Sequence, residues 1–137
     1  MKLFVDTWGW VALADRRDSG HAAATEIFKQ ARLSGGAITS NFILDETFTL
    51  LFRRTPFEDA WRFTTTVVKS PYIDVQQVTE VRFAKTIQLR KQFSDKPRIS
   101  FTDLSTMAVM QELGVTDILT ADQHFTQVGL GFRVYPT

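Results

Sequence analysis

The chain has 137 residues, 44% of them hydrophobic, enough for one sizeable core, so a single domain over 1–137 is expected. It has no cysteine, which excludes disulfides, thiolate metal sites and thiol nucleophiles and points to a reducing cytoplasm. Sixteen basic residues stand against 15 acidic ones for a net charge of +1, so composition does not announce a nucleic-acid binder, and no apolar run approaches the about 18 residues that span a membrane.

The first candidate strand is the short β-rich run Leu3–Val5, which ends on Asp6. The stretch SGHAAATEIFKQARLSGG then carries Ala24, Ile27, Phe28 and Ala31 at helical spacing and stops on Gly35 and Gly36, a favoured helix end. Ala37–Thr39 reads as a second strand. In SNFILDETFTLLFRR, Leu44, Phe48, Leu51 and Phe52 fall on one helical face, and TPFEDAWRFTTTVV opens a further helix with Thr55 as cap and Pro56 in the first helical position. Tyr72–Val75 is a third strand. The helical patterns VTEVRFAKTIQLRKQF and SFTDLSTMAVMQELG follow, the second closing on Gly114, and Asp117–Thr120 and Phe132–Tyr135 are the last strands. Strands alternating with helices predict an α/β fold with a mainly parallel sheet and helices on both faces. In such a sheet, ligands bind beyond the carboxyl ends of the strands.

Most of the acids lie in polar helical surroundings and read as solvated surface. Asp6, Asp103 and Asp122 differ, because one follows a strand, one opens a helix and one follows a late strand, while Glu46 is set into a mostly apolar helix. Each alone has a bland reading: Asp6 as a turn or helix cap, Ser100–Asp103 as a near capping box, Thr120–Gln123 as a capping box outright, and Glu46 as a polar edge beside Asp45. If Asp6, Asp103 and Asp122 meet at one sheet edge, their mutual repulsion requires a cation among them. An oxygen-rich site without cysteine selects Mg²⁺ or Mn²⁺ over Zn²⁺. His21 and His124 are the only imidazoles, and neither has ligand spacing to a partner, although His124 follows Asp122 closely enough to touch substrate.

FVDT at the N-terminus, LDET in the second helical block, ISFTDLSTMAVMQELGVTDILTADQHF and the terminal VYP together resemble the PIN domain family, in particular its VapC-type toxins, over essentially the whole chain. The resemblance implies a three-layer α/β/α sandwich and a metal-dependent endoribonuclease whose catalytic and metal-binding acids are Asp6, Glu46, Asp103 and Asp122. It selects Glu46 over Asp45, which periodicity leaves open. It also implies a structured RNA substrate, 5′-phosphate and 3′-hydroxyl products, a VapB-type antitoxin and a homodimer, for which the apolar helices around Phe48, Phe52 and Phe57 offer surface. Trp8 and Gln123 depart from the family pattern, where a small or hydroxyl residue and a basic residue are common. Thr7, Ser100 and Thr102 are candidates for orienting the carboxylates, and Trp8, Trp10 and Trp61 for stacking on bases. The basic clusters at Asp15–Arg17, Arg53–Arg54 and Asp95–Arg98 could flank a polyanion. Two other classes compete. A receiver-like Mg²⁺-binding regulatory domain lacks the expected lysine after Asp117–Thr120, and a silent PIN fold used only for binding has no need of four acids.

Overall fold

Five strands and seven helices alternate along the chain in the computed structural model, which describes residues 1–137. Strands β1 (Leu3–Val5), β2 (Ala37–Ser40), β3 (Ile73–Gln76), β4 (Asp117–Leu119) and β5 (Arg133–Tyr135) form one sheet in the order β3-β2-β1-β4-β5. Every pairing is parallel. The helices are α1 (Thr7–Ala14), α2 (His21–Ser34), α3 (Asn41–Arg54), α4 (Phe57–Lys69), α5 (Glu80–Gln92), α6 (Phe101–Leu113) and the single turn α7 (His124–Gln127).

The chain runs outward from β1 to β3 and then restarts on the other side of β1 at β4. Because crossovers between parallel strands are right-handed, this reversal places α1 to α4 on one face of the sheet and α5 to α7 on the other. The expected α/β/α layering follows. So does a crevice between the carboxyl ends of β1 and β4, the point where the strand order reverses.

Both central strands are buried throughout: Leu3, Phe4, Val5, Ile118 and Leu119 are each 0% exposed, as a strand covered by helices on both sides requires. Helix α6 is equally interior, with seven consecutive buried residues from Leu104 to Met110. Helix α1 lies directly on the sheet. At Gly9 a side-chain Cβ would come within 2.9 Å of both Leu119 Cγ and Val5 Cγ1, so only glycine permits this approach. The next residue, Trp10, packs edge-on against Phe28 and Phe63, and its indole N–H donates to Thr39 Oγ1 at 3.0 Å. The Thr39 hydroxyl in turn donates to the Val5 carbonyl at 3.1 Å, so one buried chain of bonds ties α1, β2 and β1 together.

The five strands lie within one residue of the runs expected from sequence, and Gly114 ends α6 in the left-handed conformation at φ 67°. Four local expectations are corrected. Helix α1 was not anticipated, since TWGWVALA is apolar all round and has no periodic face. Pro56 is the N-cap of α4 rather than its first residue, and Thr55 closes α3, its hydroxyl donating to the Leu51 carbonyl at 2.8 Å. Phe52 is 37% exposed instead of joining the buried face of α3. Finally, Thr120 caps no helix, because the next one, α7, begins at His124.

Candidate active site

Each of the four acids is brought to the carboxyl edge of the sheet by a different element. Asp6 is the residue after β1 and the N-cap position of α1, but its side chain makes no capping bond. It is 6% exposed, and its Oδ2 accepts the Thr120 hydroxyl at 2.7 Å. Glu46 comes from the second turn of α3, a helix started by Ser40 at the end of β2, whose Oγ accepts the Ile43 amide. Its Oε1 accepts the Thr7 hydroxyl at 2.9 Å, which ties α3 to the first residue of α1. Asp45 stays exposed and makes no bond through its carboxylate, so the choice of Glu46 between the two is a matter of helix rotation.

Asp103 sits in the first turn of α6, where Ser100 Oγ accepts its backbone amide at 3.0 Å. That is half of a capping box; the carboxylate does not reach back to close it and points inward, its side chain only 13% exposed. Asp122 follows β4, its own amide donating to Thr120 Oγ1 at 3.1 Å, while its Oδ1 accepts the His124 amide at 2.8 Å. The His124 ring also belongs to the site: Nδ1 lies 3.0 Å from Asp122 Oδ1 and 4.0 Å from Asp103 Oδ2. One ligand atom from each of Asp103, Asp122 and His124 falls within 4.8 Å of the others.

The carboxylates act on one another. Burial pushes the Asp103 carboxyl up, and the hydrogen bond with Asp122 and the charges of Asp6, Asp122 and Glu46 add to it, to about 9. Burial also raises Asp122, but the hydrogen bond with Asp103, the His124 amide and the imidazole outweigh it and hold the group below the usual carboxylate range. Asp103 and Asp122 thus titrate as a pair that holds one proton on the Asp103 side. Asp6 is raised mainly by burial, partly offset by the Thr120 hydroxyl. None of the four acids pairs with a lysine or arginine. Asp103, Asp122 and His124 bring ligand atoms together, while Asp6 and Glu46 stand near enough to act on Asp103 through their charge; oxygens and one imidazole, with no thiolate and no lysine or arginine paired to the acids, suit a hard or borderline divalent cation.

The sequence profile of the PIN domain matches residues 3–130. The chain belongs to the PIN domain family. Among PIN domain proteins it is 31% identical over 133 residues to the 23S rRNA-specific endonuclease VapC20 of Mycobacterium tuberculosis, covering 93% of this chain and 94% of that protein. The crystal structure of M. tuberculosis VapC20, described as a sarcin-ricin loop cleaving toxin, superposes with a TM-score of 0.82 at 28% identity, covering 93% of this chain and 95% of that one. A complex of VapBC2 from Rickettsia felis bound to promoter DNA has the same fold, with a TM-score of 0.76 at 11% identity over 98% and 97% of the two chains. No helix of this PIN domain is long and apolar enough to cross a membrane.

Of the other candidates, Thr7 and Ser100 do contact the acids or their backbone, whereas the Thr102 hydroxyl makes no bond to them. Trp10 is core at 1% exposed, Trp8 packs against the core, and only Trp61, 52% exposed, presents a ring to solvent. Gln123 is exposed at the N-cap of α7. Sequence reasoning missed Thr120 as a residue of the site and placed His124 only within reach of substrate. Thr120 looked like a cap, and its bond to Asp6 depends on β1 and β4 being neighbours. His124 lacked ligand spacing along the chain but acquires it through the turn that folds it back over Asp122.

Proposed function

We propose that this protein is a Mg²⁺- or Mn²⁺-dependent endoribonuclease, the toxin of a toxin–antitoxin pair, with Asp6, Glu46, Asp103 and Asp122 as the residues that hold the cation and carry the reaction. The observation that supports it above all is the meeting of these four acids, from four separate elements, at the strand-order reversal of the sheet. A divalent cation bound there supplies the Lewis acidity that activates water and offsets charge on a phosphodiester. The chain's own part is to aim the oxygens. Thr120 fixes Asp6, Thr7 fixes Glu46, and the Ser100 cap fixes the backbone that carries Asp103. The proton held between Asp103 and Asp122 leaves when the cation binds, because a ligating carboxylate must be ionised. With no cluster of basic side chains inside the site, substrate phosphates are drawn by the cation rather than by the pocket walls.

The substrate in this reading is a structured RNA, and the sarcin-ricin loop that the M. tuberculosis relative cleaves is the first to test. The 137 residues act as one PIN domain in the cytoplasm, held in check by a VapB-type antitoxin. Self-association is part of the same proposal: at the α3–α4 turn Phe57 stacks on Trp61 with centroids 6.1 Å apart and meets Phe52 at a tilt with centroids 5.4 Å apart, all three exposed and available as contact surface, whereas Phe48 packs against the core. Cleavage assays of purified protein on ribosomal RNA test the activity. Hydrolysis should require Mg²⁺ or Mn²⁺, stop in excess chelator and be abolished in a folded Asp103→Asn variant; cleavage that survives both treatments refutes the metal-nuclease reading. Sedimentation at micromolar concentration tests the dimer, and a monomer alone refutes it.

A further inference from the structure

We propose that His124 is itself a ligand of the cation, adding an imidazole nitrogen to the carboxylates of Asp103 and Asp122, and that this site therefore takes Mn²⁺ in preference to Mg²⁺. The inference rests on the reading of the acidic cluster as a cation site and extends it to a residue which that reading does not require.

The first support is spacing. Six donors at about 2.1 Å from one ion stand about 3.0 Å from their neighbours and about 4.2 Å from the donor opposite. His124 Nδ1 lies 3.0 Å from Asp122 Oδ1 and 4.0 Å from Asp103 Oδ2, the separations of atoms that share one ion. The second support is an unpaired atom. Nδ1 is buried and has no hydrogen-bond partner although two carboxylates flank it, since an N–H at that position misses Asp122 Oδ1, the oxygen that already accepts the His124 amide. A buried nitrogen without a partner is costly, and a bare lone pair 3.0 Å from a carboxylate oxygen is repelled unless a metal ion or a proton lies between the two. The third is rigidity. His124 opens α7, and the next residue, Phe125, is 0% exposed and packs edge-on against Phe132 at 6.0 Å, so the turn that presents the ring is anchored in the core. Imidazole is a softer donor than carboxylate, so its addition favours Mn²⁺ over the strictly oxygen-seeking Mg²⁺.

Pulsed electron paramagnetic resonance of the full-length protein loaded with Mn²⁺ tests this directly. The expected result is modulation from one directly bonded ¹⁴N, replaced by a ¹⁵N pattern when the protein is grown on ¹⁵N-histidine. That comparison needs no variant, and the only other histidine, His21, is engaged elsewhere, its Nδ1 2.7 Å from the Ala12 carbonyl oxygen. In calorimetry, His124→Ala should weaken Mn²⁺ binding by about tenfold or more while changing Mg²⁺ binding by less than about threefold. Bound Mn²⁺ without a coordinated histidine nitrogen overturns the role of His124 and leaves the carboxylate site standing, with the ring reduced to a counter-ion of Asp122. Failure of the wild-type protein to bind either cation overturns both.

Discussion

The Thr120 hydroxyl donates to Asp6 Oδ2 at 2.7 Å across 114 positions of sequence. The two meet because β1 and β4 are adjacent and parallel with Val5 opposite Leu119, so the next residue of each strand emerges at the same edge. Thr120 Oγ1 also accepts the Asp122 amide, and one buried hydroxyl thereby orients two of the four acids. Replacing it by Thr120→Val keeps the volume and removes the bond. Affinity for Mg²⁺ and Mn²⁺ should fall by roughly 10- to 100-fold, with a stability cost of about 1–3 kcal/mol for the unpaired carboxylate. Isothermal calorimetry checks the first figure and thermal unfolding the second; unchanged cation affinity would leave Thr120 a packing residue.

Stability in the absence of cation should fall as pH rises. The Asp103 carboxyl is pushed from its ordinary 3.8 to about 9, so between those values the folded protein keeps a proton that the unfolded chain releases. The stability this proton confers is complete below the unfolded value and is lost as pH climbs towards the folded one. Asp6, also raised, acts in the same sense. Thermal midpoints measured in chelator should therefore decline from about pH 5 to about pH 9 and flatten in Asp103→Asn, whereas saturating Mg²⁺ reverses the trend because ionised ligands bind the cation better. A chelated midpoint that holds steady or climbs over that range would contradict the shared proton.

Ser100 and Asp103 stand three residues apart and should respond oppositely to mutation. Ser100→Ala deletes the hydroxyl that caps α6 and should cost about 1 kcal/mol with or without metal. At neutral pH Asp103→Asn replaces a carboxyl that must take up a proton on folding with a group that needs none, and should stabilise the cation-free protein by roughly 0.5–2 kcal/mol, a gain that shrinks or reverses on adding Mg²⁺. Denaturant titrations with chelator and then with Mg²⁺ separate the two. Loss of stability in both variants regardless of metal would make Asp103 a mere helix-start residue.

Gly9→Ala probes how closely α1 is seated on the sheet. Alanine gains up to about 1 kcal/mol in helix propensity, but its methyl would stand 2.9 Å from Leu119 Cγ and Val5 Cγ1, both fully buried and without room to retreat. Overpacking of this kind costs about 1–3 kcal/mol, so the net effect should be destabilising. Displacement of α1 would also pull Thr7 from Glu46, and weaker cation binding should accompany the lower thermal midpoint. A more stable variant with normal cation affinity would show that the sheet yields at this point.

How far the sequence determined this protein differs between its fold and its site. The alternation of β-rich runs with helical periods, the Gly114 stop and the Ser100 cap are local signals, since strand pleat, helical turn and end-capping are each set within a few residues, and those elements form where the residues place them. The short apolar α1 escaped because it is covered on all sides, which erases the periodic face by which a helix is read. The acids could be picked out as odd, but Asp6, Asp103 and Asp122 each also fitted a cap, and no spacing along the chain chose between the readings. Only tertiary structure gathers them at one edge. Parallel pairing sets Asp6 beside Thr120, the burial of α6 turns the Asp103 carboxylate inward, the rotation of α3 delivers Glu46 and leaves Asp45 in solvent, and the turn after β4 folds His124 over Asp122. Charge repulsion and hydrogen bonding act over a few ångströms of space, and the partners they join here lie as far as 114 positions apart in sequence.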